Sequence, residues 1–362
     1  MTGQIRVLLC DDSAIMRKLI KKALEADPGI TVAYEATNGR DAVTNLNRVK
    51  PDIVIMDVEM PVMDGIDAVR EIRKYNWDTP IIMFSSLTSN GAEATFDALD
   101  AGANDFSAKP AGVGHVTEAL QLVRHDLIPK IFQWVGKAKP ASRNVDKKVE
   151  QLSGQQALFD GDVSIVAIGS STGGPDALAV VLSNIPTPLS VPVVIAQHMP
   201  PVFTKLLAER LSSQTGHSVR EATDGVEILS GSVILAPGDH HLVVQRNGLS
   251  VIGKLTKDAP ENSCRPAVDP LFRSVAAVYG RRSLGVVLTG MGKDGTKGAQ
   301  AIKSSGGKVI AQDKESSTVW GMPGQVVQEG HADRVLPLDQ IAGAIIRSVT
   351  AKLATASVGS ME

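Results

Sequence analysis

Three polar residues in the second half of this 362-residue chain each stand just past an apolar run: Ser171 after VSIVAIG, His198 after VPVVIAQ, and Asp294 in the loop after SLGVVLT. A serine hydroxyl, an imidazole and a carboxylate can serve as nucleophile, base and orienting acid. Such a set attacks a carbonyl, forms an acyl-enzyme and hydrolyses an ester or amide. Ser171 is the centre of Gly169-Ser170-Ser171-Thr172-Gly173, which fits the GxSxG nucleophile template, with Pro175 near the first turn of the following helix. That helix would turn its unpaired N–H groups and positive dipole toward a developing oxyanion. Ser170 is the rival nucleophile. A phosphate cradle is a weaker reading, because GSSTGG lacks the GxGxxG spacing and no Walker lysine follows it. His198 precedes Met-Pro-Pro at a strand-to-loop corner, whereas His240 and His241 fall in what reads as a solvent-exposed hairpin turn. Asp294 and Asp313 both follow apolar strands, and spacing leaves the choice of acid open. The glycines near Asp294 favour its carboxylate turning inward.

The first half carries a different chemistry. Asp11 and Asp12 end its first apolar run, Asp57 the third, Ser85 the fourth and Lys109 the fifth. Parallel strands would gather all five at one edge. Three carboxylates there repel one another, and a divalent cation with room for waters and a phosphate, Mg²⁺, relieves the repulsion. Asp57 then has the position of a carboxylate nucleophile toward a phosphoryl group, with Lys109 and the Ser85 hydroxyl meeting phosphate oxygens.

The elements that must position these groups follow from periodicity. IRVLLC, TVAYEA, DIVIMD, PIIMFS and DFSAK alternate with amphipathic stretches such as AIMRKLIKKALEAD and GIDAVREIRKY, a five-unit βα pattern closing with a helix from about 115 to 131. Periodicity is then lost, and the expected boundaries are a first domain over 1–132, a flexible linker over 133–160, a second α/β domain over 161–352 and a tail over 353–362. Both domains read as α/β with parallel sheets. The stretch SVILAPGDHHLVVQRNGLSVI interrupts the second as strands joined by turns, a hairpin insertion.

Bulk composition narrows the function classes. Lysine plus arginine total 37 against 39 for aspartate plus glutamate, so no global field draws the chain to nucleic acid or an anionic membrane. No helix-turn-helix pattern or basic recognition segment is evident in the second half. Two cysteines, Cys10 and Cys264, make neither a disulfide framework nor a metal cluster, and the first apolar run is too short for a signal core or membrane span. These features point to a cytoplasmic protein.

The first half resembles the response-regulator receiver domain over nearly its whole length, including the Met-Pro-Val-Met-Asp-Gly turn after Asp57 and the Lys109-Pro110 pair. That resemblance implies a flavodoxin-like fold, phosphorylation of Asp57 by a chemotaxis histidine kinase, Mg²⁺ held with Asp11 and Asp12, and a switch through Ser85 and Phe106. AIGSSTGG, IAQHMPP, ILAPGDHHL, RPAVDPLF, VVLTGMGKDG and VWGMP are similar to the bacterial chemotaxis-receptor methylesterase and glutamine deamidase family. This second resemblance implies a Ser171-His198-Asp294 triad, with Thr172 and Met291 as neighbouring oxyanion support and no cofactor for the esterase reaction. It also implies methyl-accepting chemoreceptors as substrates, with release of methanol or conversion of glutamine to glutamate. In the family the unphosphorylated receiver blocks the catalytic edge, and phosphorylation loosens that block.

Overall fold

A computed structural model of the chain describes residues 3–110, 116–136 and 162–350. The chain divides into two compact units, Met1–Pro140 and Ala141–Glu362. The expected linker lies almost wholly outside the described residues, as does the expected tail.

In the first unit five strands, β1 (Ile5–Cys10), β2 (Ile30–Ala36), β3 (Ile53–Asp57), β4 (Ile81–Ser85) and β5 (Asp105–Ala108), form a parallel sheet in the order β2-β1-β3-β4-β5. Helices α1 (Ala14–Leu24), α2 (Gly39–Val49), α3 (Gly65–Arg73), α4 (Ser89–Asp100) and α5 (Val116–Val135) connect and cover it. β3 and β4 are buried at every residue, as a strand covered on both faces requires. The ends of the helices follow local chemistry: Ser13, Asn38, Asp64 and Thr88 each accept a backbone N–H as the N-cap of α1 to α4. The last helix runs to Val135, four residues beyond the expected end, with Pro129 in its interior. Buried Ile131 and Trp134 pack on the core cluster of β1, β3 and β4, and the Trp134 indole donates to Asp105 Oδ2 at 3.3 Å. Those contacts outweigh the one backbone bond that the proline removes.

The second unit is built on seven strands, all joined by parallel pairings. They are β6 (Ile165–Ser170), β7 (Val193–Gln197), β8 (Val219–Glu221), β10 (Val233–Leu235), β13 (Ser283–Val287), β14 (Lys308–Gln312) and β15 (Arg334–Leu336), in the order β15-β14-β13-β6-β7-β10-β8. A separate antiparallel sheet holds β9 (Val226–Glu227), β11 (His241–Asn247) and β12 (Ser250–Thr256). The insertion is therefore smaller than expected. Val233–Leu235 belongs to the main sheet, where full burial and pairing with β7 hold it, and only β11 and β12 form the hairpin. His241 also departs from expectation. It is buried at the start of β11, where its Nδ1 accepts the Ala267 N–H at 3.2 Å and its Nε2 lies 3.2 Å from the Ala259 carbonyl oxygen.

Among the described residues of this unit the helices are α6 (Gly174–Ser183), α7 (Phe203–Thr215), α8 (Val268–Tyr279), α9 (Thr296–Ser304), α10 (Met322–Gln328) and α11 (Leu338–Thr350). Val268, Leu271, Phe272 and Val275 of α8 insert into the core beside β6 and β13. No helix among the described residues is long and apolar enough to cross a membrane.

Candidate active site and phosphoacceptor pocket

β6 lies between β13 and β7, and the residues that leave these three strands meet at their carboxyl ends. Ser170 and Gln197 are register partners, so Ser171 and His198 leave adjacent strands one step beyond the same rung, where neighbouring backbones run about 5 Å apart. The His198 N–H donates to the Ser170 carbonyl at 3.1 Å, and the Gln197 amide donates to the carbonyls of Ser171 at 2.9 Å and His198 at 3.2 Å. Ser170, the rival nucleophile, is fully buried and donates to Gln197 Oε1 at 2.6 Å, which turns it away from solvent.

The turn carrying Ser171 depends on its glycines. Gly173 has φ of 72° and caps α6, a conformation costly for a residue with a Cβ, and a Cβ on Gly174 would overlap Gln197 Oε1. Thr289, two residues past β13, accepts the Ser171 N–H through its carbonyl at 3.0 Å and donates its hydroxyl to the Thr172 carbonyl at 2.9 Å. Thr172 is buried, and Met291 lies two residues beyond Thr289 in a loop that contacts Gly321.

His198 Nε2 lies 2.7 Å from Asp294 Oδ2, a short hydrogen bond that joins the ends of two neighbouring segments. The carboxylate is almost fully buried and collects four further donors. Val268 N–H and His198 share Oδ2, while Asp269 N–H, Gly295 N–H and the Asn262 amide reach Oδ1 at 3.1, 2.9 and 2.9 Å. Burial opposes its charge, but the hydrogen bonds from His198 and the backbone hold Asp294 below the usual carboxylate range. An ionised carboxylate only accepts, so the proton on this side belongs to His198 Nε2, and the lone pair of the neutral ring sits on Nδ1. Burial disfavours charge on His198; the Cys264 sulfur and Asp294 outweigh it and raise the imidazole above its ordinary value. Asp313 is not at this site: it accepts the Ser316 N–H at 2.9 Å and the Ser316 hydroxyl at 2.6 Å, closing its own turn.

Three contributors had no signal in periodicity. Gln197 ties the two strand ends together. Asn262 bridges Asp294 and Asp269, donating to Asp269 Oδ2 at 3.1 Å. Cys264 places its sulfur 3.4 Å from His198 Nδ1. Among the described residues, the Ser171 hydroxyl makes no hydrogen bond.

In the first unit Asp11, Asp12 and Asp57 present carboxylate oxygens within 4.8 Å of one another. Lys109 Nζ lies 2.9 Å from Asp11 Oδ2 and 2.6 Å from Asp57 Oδ2. Burial pushes the Asp57 carboxyl up to about 6 despite Lys109, and the two carboxylates hold the Lys109 ammonium above its ordinary value against its own burial. A cavity of about 510 Å³ opens over Asp57, walled by Asp12, Glu59, Met60, Ser85 and Lys109. The Ser85 hydroxyl donates to the Gly91 carbonyl at 2.8 Å, and Phe106 is buried with its ring 5.5 Å from the Lys130 ammonium.

Comparison with known proteins matches both halves. The CheB methylesterase family model covers residues 166–345 and the response regulator receiver domain model residues 7–121. A relative from Nocardioides sp. is 49% identical over 95% of this chain and 95% of its own, and carries the name protein-glutamate methylesterase/protein-glutamine glutaminase. The chain belongs to this family. A relative of the same name from Trichodesmium erythraeum is 45% identical over 96% of this chain and 99% of its own. The crystal structure of the Thermotoga maritima CheB methylesterase catalytic domain matches with a TM-score of 0.50 at 48% identity, covering 51% of this chain and 97% of that one.

Proposed function

We propose that this member of the CheB family hydrolyses glutamyl methyl esters of chemoreceptors at Ser171 and deamidates receptor glutamines at the same residue, under control of phosphorylation at Asp57. The observation that carries the catalytic assignment is the His198–Asp294 contact at 2.7 Å beside the strand end that presents Ser171. Nδ1 of His198 takes the Ser171 proton as the oxygen attacks the ester carbonyl, and Asp294 stabilises the imidazolium through Nε2–H. Backbone N–H groups of Thr172 and Met291 are the candidate donors to the oxyanion, with the amino end of α6 behind them. Collapse of the tetrahedral species returns the proton to methanol, or to ammonia from a glutamine. Water, deprotonated by the same nitrogen, then releases the glutamate.

In the first unit the donor set fits Mg²⁺: three carboxylates converge, and the buried Asp11 Oδ2 takes an ion pair from Lys109 but no hydrogen bond. Asp11, Asp12 and Asp57 would hold the ion, which when bound neutralises phosphoryl oxygens. Asp57 supplies the attacking carboxylate oxygen, Lys109 offsets charge on the phosphoryl group, and Ser85 turns from Gly91 toward it, a change that Phe106 relays. A chemotaxis histidine kinase is the phosphodonor.

The catalytic reading is tested with Ser171→Ala and methanol release from a methylated receptor. By comparison with serine hydrolases that lose about 10⁶ in kcat without their nucleophile, activity falls to background while the fold persists. Methanol release within tenfold of the unaltered chain refutes it.

A further inference from the structure

His198 faces a thiol as well as a carboxylate in this structure. The lone pair on Nδ1, which the Asp294 contact fixes, faces the Cys264 sulfur at 3.4 Å. The placement is built by a tight turn. Glu261 and Cys264 exchange both backbone hydrogen bonds, at 3.1 and 2.9 Å, and the two residues between them, Asn262 and Ser263, have φ of 50° and 63°. Two successive positive φ values are those of a type I′ turn. One residue of the turn therefore delivers its amide to Asp294 and another its thiol to His198. Arg265 pins the exit of the turn, donating to Asp239 Oδ1 and to the carbonyls of Lys257 and Asp258.

Cys264 is partly exposed, whereas Cys10 is buried with its sulfur 3.4 Å from Met60 Sδ. The chain thus carries one thiol beside a base and one walled off from it.

We propose that Cys264 is a modification site for peroxides and alkylating electrophiles, and that its modification silences the esterase by blocking the base nitrogen. The silencing rests on the Ser171-His198 reading above; the reactivity of the thiol does not. The Cys264 proton passes to His198 Nδ1, and the sulfur attacks one oxygen of hydrogen peroxide. The S–O bond forms as the O–O bond breaks, and the departing hydroxide takes the proton from His198 to leave as water. Sulfur is oxidised by two electrons to the sulfenic acid and the peroxide is reduced. With iodoacetamide an S–C bond forms, iodide leaves, and the proton passes from His198 to solvent. In both products new atoms stand between sulfur and Nδ1, where the Ser171 proton must arrive. A thiol reductant reverses the first product and not the second.

The full chain is treated with iodoacetamide at pH 7, and labelling of Cys264 and Cys10 is followed by peptide mass spectrometry. Cys264 is labelled at least tenfold faster in the folded chain than in the same chain unfolded in urea, while Cys10 is labelled more slowly folded than unfolded. His198→Gln removes the Cys264 advantage, and Ser171→Ala keeps it. Hydrogen peroxide adds one oxygen at Cys264, and methanol release falls in step and returns with dithiothreitol. Cys264→Ser retains its own untreated rate in peroxide. Labelling of folded Cys264 no faster than in urea overturns the reactive thiol, and a fully oxidised chain with undiminished methanol release overturns the silencing. If Ser171→Ala keeps methanol release while Cys264 remains fast, the catalytic assignment fails and the thiol stands.

Discussion

Replacing Asp294 by Asn tests the logic of the catalytic edge, because the structure dictates which way the new amide must face. Three donors converge on Oδ1, from Asp269 N, Gly295 N and Asn262, and two on Oδ2, from Val268 N and His198 Nε2. An amide nitrogen at the Oδ1 position would confront three donors. At the Oδ2 position it confronts only the Val268 N–H, because the imidazole can answer by moving its proton to Nδ1 and accepting at Nε2. The second orientation wins by roughly one or two orphaned hydrogen bonds, at about 1–3 kcal/mol each. It leaves Nδ1 protonated, and His198 can no longer take a proton from Ser171. The same tautomer error in chymotrypsin-like proteases lowers kcat by about 10⁴, or about 5.5 kcal/mol. Asp294→Asn therefore reduces the kcat of methanol release by about that factor while losing about 1–3 kcal/mol of stability to urea for the stranded Val268 N–H. Asp313→Asn, which disturbs only the turn at Ser316, stays within a few-fold of the unaltered chain. An Asp294→Asn chain within tenfold of normal, or an equal loss in Asp313→Asn, refutes the tautomer argument.

Asp57→Asn abolishes stimulation by a small phosphodonor and leaves basal methanol release intact; equal stimulation of the two chains rules out Asp57 as the acceptor. The same change alters stability with pH. The folded carboxyl is raised to about 6 from 3.8, so the folded state binds the proton more tightly and ionisation costs stability as pH rises through that interval. The neutral amide avoids that cost, and urea melts of the first unit should show Asp57→Asn more stable by on the order of 1–3 kcal/mol at pH 7.5, with the gain gone below pH 4. A less stable variant at pH 7.5 contradicts the sign. Asn262→Ala removes the donor shared by Asp269 and Asp294; burial, reinforced by repulsion from Asp294, already lifts Asp269 to about 6. A loss of about 1.5–3 kcal/mol for a hydrogen bond to a charged group predicts a kcat at least tenfold lower, measured by methanol release, and an unchanged kcat removes Asn262 from the positioning set.

Much of the fold was legible because buried parallel strands are short apolar runs with polar ends, and those ends are where the chemistry collects. Asp11, Asp57, Ser85 and Lys109 could be placed at one edge from that pattern alone. What the pattern could not supply is strand order. Asp294 and Asp313 follow equally apolar strands, but β13 pairs with β6 and β14 lies one strand further out, so only Asp294 reaches His198. Asn262 and Cys264 were invisible for a different reason. They act from a turn whose two positive φ values come from tight backbone closure, and a turn has no periodicity to read. His241 was misjudged because its ring is satisfied by backbone atoms of remote loops, a partnership that no local window contains.

The order β13-β6-β7 has a consequence for how this enzyme fails. Ser171, His198 and Asp294 hang from three neighbouring strands near the middle of a seven-stranded sheet, with four outer strands flanking them. Central strands open only with the whole domain, whereas edges fray at small cost. The edge strands can loosen while catalysis continues, and when the catalytic residues separate the domain has already come apart. Residual methanol release is thus a gauge of intact molecules, and a half-inactivated sample is a mixture of whole enzymes and unfolded chains rather than a population of weakened ones.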